Sequence, residues 1–265
     1  MSHGNNEGSL VWITGASSGL GFALAGLYAN AGDSVVVSAR SEDKLQALAV
    51  TQTNRQTTPR GSIMPLSMDV TDNESVTSGV SRMLAQWGVP DTIILNAGYY
   101  DPCSLKEVSL EHFEKTIDVN YRGVIRCLMA VLPSLLENNN GDGTSRKHIV
   151  IVSSVAGYSG LPRAAAYGST KAALTNLAES LKHECNANKI DVTVVNPGFV
   201  KTPLTDLNEF PMPFIMELDD AAKAMYKGIA TRRFEVTFPK RFTWLLKFLR
   251  ILPYPVYFRL TKKLL

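Results

Sequence analysis

Short runs of apolar, often β-branched residues alternate along the chain with longer stretches whose apolar positions recur at helical spacing. The short runs fall at 10–14, 34–39, 62–67, 92–96, 148–153 and 191–196, with a weaker seventh at 235–238. They are almost continuously apolar, as strands buried on both faces must be. Helical stretches lie between them at 19–31, 41–52, 73–87, 109–136, 164–187 and 219–231. Asp72, with Ser75 three residues on, predicts the N-cap region of the third helix, and Asp219 plays a similar part for the sixth. Strict alternation of strand and helix predicts an α/β fold. Its sheet is doubly wound, seven-stranded and mostly parallel, with right-handed crossovers and helices on both faces. Binding sites in such sheets gather at the carboxyl ends of the strands. The alternation continues to residue 239 without a linker, which predicts one domain over 1–239 and an extension over 240–265. The polar stretch 138–147, NNNGDGTSRK, joins a helix to a strand and so belongs at the amino ends, as a solvated insertion.

Composition narrows the picture. With 265 residues and 45% of them hydrophobic, the chain can bury a full core, which excludes disorder. Cys103, Cys127 and Cys185 are too scattered for a disulfide framework or a zinc site. No metal is expected, and a reducing, cytoplasmic compartment is. The first nine residues carry no basic segment followed by an apolar one, so no signal peptide is expected. No run of about 18 uncharged apolar residues predicts a spanning helix. The net charge of +3 gives no case for nucleic-acid binding. It conceals an asymmetry: residues 232–265 carry nine Lys or Arg against one acid, Glu235, while the rest of the chain has an acidic excess.

The first strand runs into TGASSGLG, residues 14–21. Gly15 permits a tight turn, Gly19 lets backbone approach a pyrophosphate, and Gly21 allows close helix–strand packing. Ser17, Ser18 and Leu20 complete the loop, and the helix opening near Gly19 aims its free N–H groups at phosphate. Such a loop after a first strand predicts a Rossmann-type dinucleotide site. The second strand ends in VVVSAR. An acid there would accept from a ribose 2′-hydroxyl, whereas Arg40 can pair with a 2′-phosphate, which predicts NADP over NAD.

Tyr167 and Lys171 stand four apart at the start of a long helix and so share a face. A phenol is a poor acid–base catalyst at neutral pH, and a nearby ammonium is expected to bring its pKa down. Ser154, thirteen residues upstream at a strand end, could hydrogen-bond a substrate oxygen, with Ser153 as its rival.

Taken in order, TGASSGLG, Asp69-Val70, LNAG (95–98), Asn120 in DVNYRG, Ser154, YGSTK and PGFVKT (197–202) resemble the classical short-chain dehydrogenase/reductase family over residues 10–238. The resemblance implies an oxidoreductase with Tyr167 as general acid/base, Lys171 tuning it and holding the nicotinamide ribose, and Ser154 orienting the carbonyl or hydroxyl. It implies that Asn120 anchors a water of the proton relay. Asp69 would meet the adenine amine and Val70 would give a backbone contact. Asn96 and Gly98 would line the cofactor cleft, and Pro197, Gly198, Val200 and Thr202 would embrace the nicotinamide. It also implies a homodimer or homotetramer built on the helices at 109–136 and 164–187. Leu95 departs from the Asn usual in the family, a buttress position more than a ligand.

The stretch 203–218 resembles the family's substrate lid, and its Leu204, Leu207, Phe210, Met212, Phe214, Ile215 and Met216 suit a lipophilic carbonyl or alcohol. Tyr99, Tyr100, Tyr158 and Leu161 are candidates to complete the pocket. In 240–252, Lys240, Thr243, Lys247 and Arg250 fall on one helical face with Trp and Phe opposite, the pattern of an amphipathic helix lying on the inner surface of a membrane. A helix packed on a partner subunit, or covering the substrate cleft, fits the same pattern. A non-catalytic NADP-binding regulator or membrane-docked scaffold on this fold is the other class of function.

Overall fold

The computed structural model describes residues 8–55, 61–138, 146–208 and 210–262, without the side chains of 52–55. Most of the 138–147 loop and the extreme ends of the chain therefore lie outside the described residues. Seven strands, β1 (Leu10–Thr14), β2 (Ser34–Ala39), β3 (Ser62–Ser67), β4 (Thr92–Leu95), β5 (Lys147–Val152), β6 (Ile190–Pro197) and β7 (Glu235–Phe238), form one sheet in the order 3-2-1-4-5-6-7. Every pairing is parallel, with Val11 opposite Val35 and Ile93 opposite Ile149. The helices are α1 (Gly19–Ala31), α2 (Glu42–Arg55), α3 (Asn73–Trp87), α4 (Leu110–Ile117), α5 (Gly123–Asn138), α6 (Ala165–Ala187), α7 (Leu218–Ala230), α8 (Lys240–Arg250) and α9 (Tyr254–Thr261).

Alternate strand residues feed two cores. Trp12, Val36, Ile93, Ile151 and Val194 pack with Val80, Leu128 and Leu174 from α3, α5 and α6. Their neighbours Ile13, Val37, Ile94, Val150 and Val195 pack with Leu24, Leu48 and Met225 from α1, α2 and α7. Strand order reverses between β1 and β4, and the crevice at that point is where the phosphate loop emerges.

The structure differs from the sequence reading in several of its helices. The single helix expected at 109–136 is α4 and α5 joined by a π-helical turn, Asp118–Arg122. The extra residue in that turn carries Asn120 inward, and Arg126 Nη2 donates to Asp118 Oδ1 at 2.8 Å across it. Leu110–Asn138 as a whole is long and apolar enough to cross a membrane. Its Val124, Cys127, Leu128, Val131 and Leu135 are nevertheless packed in the core, so it reads as a core helix. Asp72 caps α3 by accepting from the Glu74 and Ser75 N–H groups, whereas the sixth predicted helix starts at Leu218, with Glu217 at its N-cap and Asp219 inside the first turn. The extension is not one helix: the chain turns after Arg250 and re-enters helix at Tyr254, with Pro255 in the first turn, where a missing N–H costs nothing.

Candidate active site

The loop after β1 is shaped by its glycines. Gly15 has φ +68, and a Cβ there would stand 2.6 Å from Ala97 Cα. Gly19 also has positive φ, +57, but a Cβ there would make only ordinary contacts with the Thr202 side chain, the nearest at 3.5 Å to Cγ2. At Gly21 a Cβ would come within 2.7 Å of Asn96 Nδ2 and the Gly15 carbonyl, so α1 sits tight against β4. Gly15 N–H and Ala16 N–H donate to the Ser38 carbonyl at 2.7 and 3.2 Å, tying the loop to β2. Ser18 is the N-cap of α1 but makes no side-chain cap bond, and it is exposed beside the partly buried Ser17 and Leu20. The helix N-terminus therefore presents backbone donors to the crevice. A glycine cradle opened by α1 is what a dinucleotide pyrophosphate requires, so the residues present fit that group.

Around the cradle the other candidates fall in place or take other duties. Arg40 is exposed directly after β2. Asp69 Oδ1 accepts from both Thr71 N–H (2.9 Å) and Thr71 Oγ1 (2.8 Å), and the Val70 carbonyl accepts from Arg126 Nη1 at 3.1 Å. Asn96 Nδ2 donates to the Thr14 and Gly15 carbonyls at 3.0 and 3.2 Å, so its side chain braces the turn. Leu95 is buried in the core. On the opposite side, Pro197 ends β6, and Gly198 N–H donates to the Phe238 carbonyl at 2.7 Å. Val200 bridges to Met216, and Thr202 meets the Gly19 position, which brings this loop over the phosphate cradle.

Tyr167, Lys171, Ser154 and Asn120 converge between β4, β5 and α6. A Cβ on Gly98 would lie 3.7 Å from both Asn120 Oδ1 and Lys171 Nζ, so these two groups flank one point. Lys171 is buried, its Nζ donating to the Val152 carbonyl at 3.0 Å and lying 5.5 Å from the Tyr167 ring centroid. Asn120 is fully buried. Its Oδ1 accepts from Tyr99 N–H at 2.6 Å, and its Nδ2 donates to the Tyr99 carbonyl (2.9 Å) and Thr170 Oγ1 (3.1 Å). Ser153 is buried and spends its hydroxyl on the Lys171 carbonyl at 2.7 Å. Ser154 Oγ accepts from Ala156 N–H at 3.1 Å and is hydrogen-bonded with the Tyr167 phenol.

The electrostatics correct one expectation. Burial pushes Tyr167 up to about 12, against a smaller lowering from Ser154, and burial pushes Lys171 down to about 8. Burial outweighs the lowering at Tyr167, and the same burial disfavours the charged form of Lys171. At neutral pH the phenol is therefore protonated and the lysine still charged.

Two of the pocket candidates have partners that sequence reasoning missed. Tyr158, expected in the pocket, is buried and donates to Glu235 Oε1 at 2.6 Å. Asn196 Nδ2 donates to the same oxygen at 3.1 Å, and Lys247 pairs with Oε2. Burial opposes ionisation of Glu235, but the Lys247 ammonium and the Tyr158 hydroxyl hold its carboxyl below the usual range. The available signal was that Glu235 is the single acid in the basic tail. Tyr100 stacks edge-on against Tyr167, centroids 4.8 Å apart, and its hydroxyl donates to Asn208 Oδ1 at 2.7 Å. That bond ties the 203–208 stretch to Tyr100 beside Tyr167. Beside the start of α6 lies a cavity of about 270 Å³ lined by Leu105, Val108, His112, Leu161 and Arg163 among others. Tyr167 is not part of its lining.

Comparison with known proteins agrees with this geometry. The family described as short chain dehydrogenase matches residues 9–210. An uncharacterized oxidoreductase of Myxococcus xanthus is 36% identical over 245 residues, 92% of this chain and 93% of that protein. An alcohol dehydrogenase from the archaeon Thermococcus sibiricus, solved with 5-hydroxy-NADP, is 27% identical with a TM-score of 0.76, covering 88% of this chain and 96% of its own. A short chain dehydrogenase/reductase from Burkholderia phymatum, solved with NAD, has a TM-score of 0.80 at 24% identity, covering 91% and 92% of the two chains.

Proposed function

The chain belongs to the short-chain dehydrogenase family, and we propose that within it this oxidoreductase is NADP-dependent and interconverts a ketone and a secondary alcohol on a lipophilic substrate. The observation that carries this reading is the convergence of a protonated Tyr167, the Ser154 hydroxyl and the buried Lys171 ammonium at the crevice beside the glycine cradle. In the reductive direction Tyr167 donates its phenolic proton to the substrate carbonyl oxygen. Ser154, held by Ala156 N–H, donates a hydrogen bond to the same oxygen and fixes its position. The Lys171 ammonium, anchored on the Val152 carbonyl, stabilises the phenolate left behind. Asn120 holds the backbone at Tyr99 opposite Lys171 and is placed to support proton return to the phenol. A nicotinamide held there would supply the hydride, which balances the proton that Tyr167 gives to oxygen.

Gly15, Ser17, Ser18, Gly19, Leu20 and Gly21 would hold the pyrophosphate. Arg40 would pair with the 2′-phosphate, consistent with the NADP analogue in the Thermococcus protein. Asp69, Val70, Asn96 and Gly98 would line the adenine and ribose side, with Tyr167 and Lys171 at the nicotinamide ribose. Pro197, Gly198, Val200 and Thr202 would close over the nicotinamide. The apolar lid, with Phe210 packed on Phe199 at 5.9 Å between centroids, supports a hydrophobic substrate. Leu110, Ile117, Met129 and Leu136 stay exposed on α4 and α5, which supports a homo-oligomer through those helices. The test is consumption of NADPH and NADH against long-chain ketones, steroids and small carbonyls. Preference for NADPH with the larger ketones is expected; preference for NADH, or no ketone reduction, would overturn the reading.

A further inference from the structure

The face that α8 leaves uncovered is not the one its sequence pattern suggests. Thr243 and Phe242 are buried, Lys247 is held by Glu235, and Lys240 Nζ donates to Thr237 Oγ1 at 3.1 Å. Three of the four positions of the expected basic stripe are thus engaged with the domain. The aromatic side faces outward instead: Trp244 is 71% exposed, Phe248 57% and Ile251 75%, with Leu245 and Arg241 between them. Helix α9 repeats the arrangement. It buries Tyr257 and Thr261 and exposes Tyr254, Val256, Phe258 and Leu260, with Tyr254 stacked on Phe258 at 5.7 Å. Apolar surface on this scale is unusual for a solvated face.

We propose that the exposed faces of α8 and α9 dock on an anionic lipid surface. The charge pattern selects this occupant. The segment 240–265 carries Lys240, Arg241, Lys247, Arg250, Arg259, Lys262 and Lys263 and contains no Asp or Glu. A second copy related by a two-fold axis would set arginines against arginines with no carboxylate in the patch to relieve them. An anionic bilayer surface accepts both halves of the face: Trp and Tyr seat at the headgroup level, Phe, Leu and Ile below, and Arg or Lys on the phosphates. The inner sides of the same helices hold the two loops that flank the cleft. Phe242 stacks on Phe199 at 5.5 Å and meets Phe214 of the lid at 5.9 Å, and the Tyr257 hydroxyl donates to the Gly160 carbonyl at 2.6 Å. Docking therefore sets the lid beside the lipid, where a hydrophobic substrate resides; that last step rests on the substrate class proposed above, whereas the docking itself does not.

The test is flotation of the full chain, without substrate, on vesicles of phosphatidylcholine alone and of phosphatidylcholine with phosphatidylglycerol in roughly equal amounts. The expected result is flotation with the anionic vesicles at low salt, weakened by high salt, and a bound fraction roughly tenfold lower for the double variant Trp244→Ser/Phe248→Ser. Both positions are exposed, so that variant should keep the wild-type melting temperature. Wild-type protein that stays in the soluble fraction, or a double variant that floats equally well, overturns the proposal. So does light scattering that shows a dimer which the double variant splits, since the face would then be a subunit interface.

Discussion

Gly19→Ala separates the cradle's conformational role from its binding role. Gly19 has φ +57, and the new methyl group would sit 3.5 Å from Thr202 Cγ2, an ordinary contact. The fold therefore bears only the left-handed strain of an alanine, about 1 kcal/mol. For a domain of this size that lowers the melting temperature by roughly 2–4 °C. The methyl group also stands where backbone must approach the pyrophosphate. Losing one hydrogen bond to a charged phosphate costs about 1.5–3 kcal/mol, or roughly 10–100-fold in Kd. Calorimetric titration with NADPH, paired with a thermal melt, reads both quantities. Gly15→Ala is the contrast: its methyl group would lie 2.6 Å from Ala97 Cα, so that variant should lose stability and binding together. If Gly19→Ala binds NADPH as tightly as the wild type, this loop does not carry the pyrophosphate.

Two further outcomes follow from particular side chains. Arg40→Asp should reverse the ratio of NADPH to NADH affinity, because it replaces a partner for the 2′-phosphate with an acceptor for the 2′-hydroxyl; an unchanged ratio removes Arg40 from the site. His148 is buried against Thr193 Oγ1 at 2.8 Å, and burial above all holds its pKa down to about 4. Its neutral form is favoured by folding, so this contribution is complete above the unfolded pKa of about 6.5 and is lost as pH falls towards 4, up to about 3 kcal/mol. His148→Asn should flatten the fall of melting temperature across that window, and an unaltered slope would show that other groups govern it.

How much was legible in advance depended on range. Strand runs such as VWIT and VVVS announce themselves because both faces are buried, and the cradle announces itself because φ at Gly15 and Gly19 is a local demand. The break at Asp118–Arg122 was invisible because its cause is tertiary: Asn120 is drawn in by the backbone at Tyr99 and by Thr170. The outward turn of Trp244 and Phe248 was invisible because Glu235, on a strand, captures Lys247. Pro253 caps α9 and Pro255 sits in its first turn, so these prolines open a helix rather than end one. The pKa of Tyr167 depended on competition between burial and the Ser154 hydrogen bond, which spacing along a helix cannot settle.

The proton that Tyr167 holds is the centre of the proposed chemistry, and its removal is the most direct measurement. Tyr167→Phe keeps the ring against Tyr100 and leaves Ser154, Lys171 and the cradle in place. NADPH oxidation by wild type and variant should be followed with the best ketone of the panel, beside NADPH titrations of both. The account predicts binding within about twofold of wild type and turnover lowered by at least about 10²-fold. A variant that turns over at the wild-type rate would contradict it.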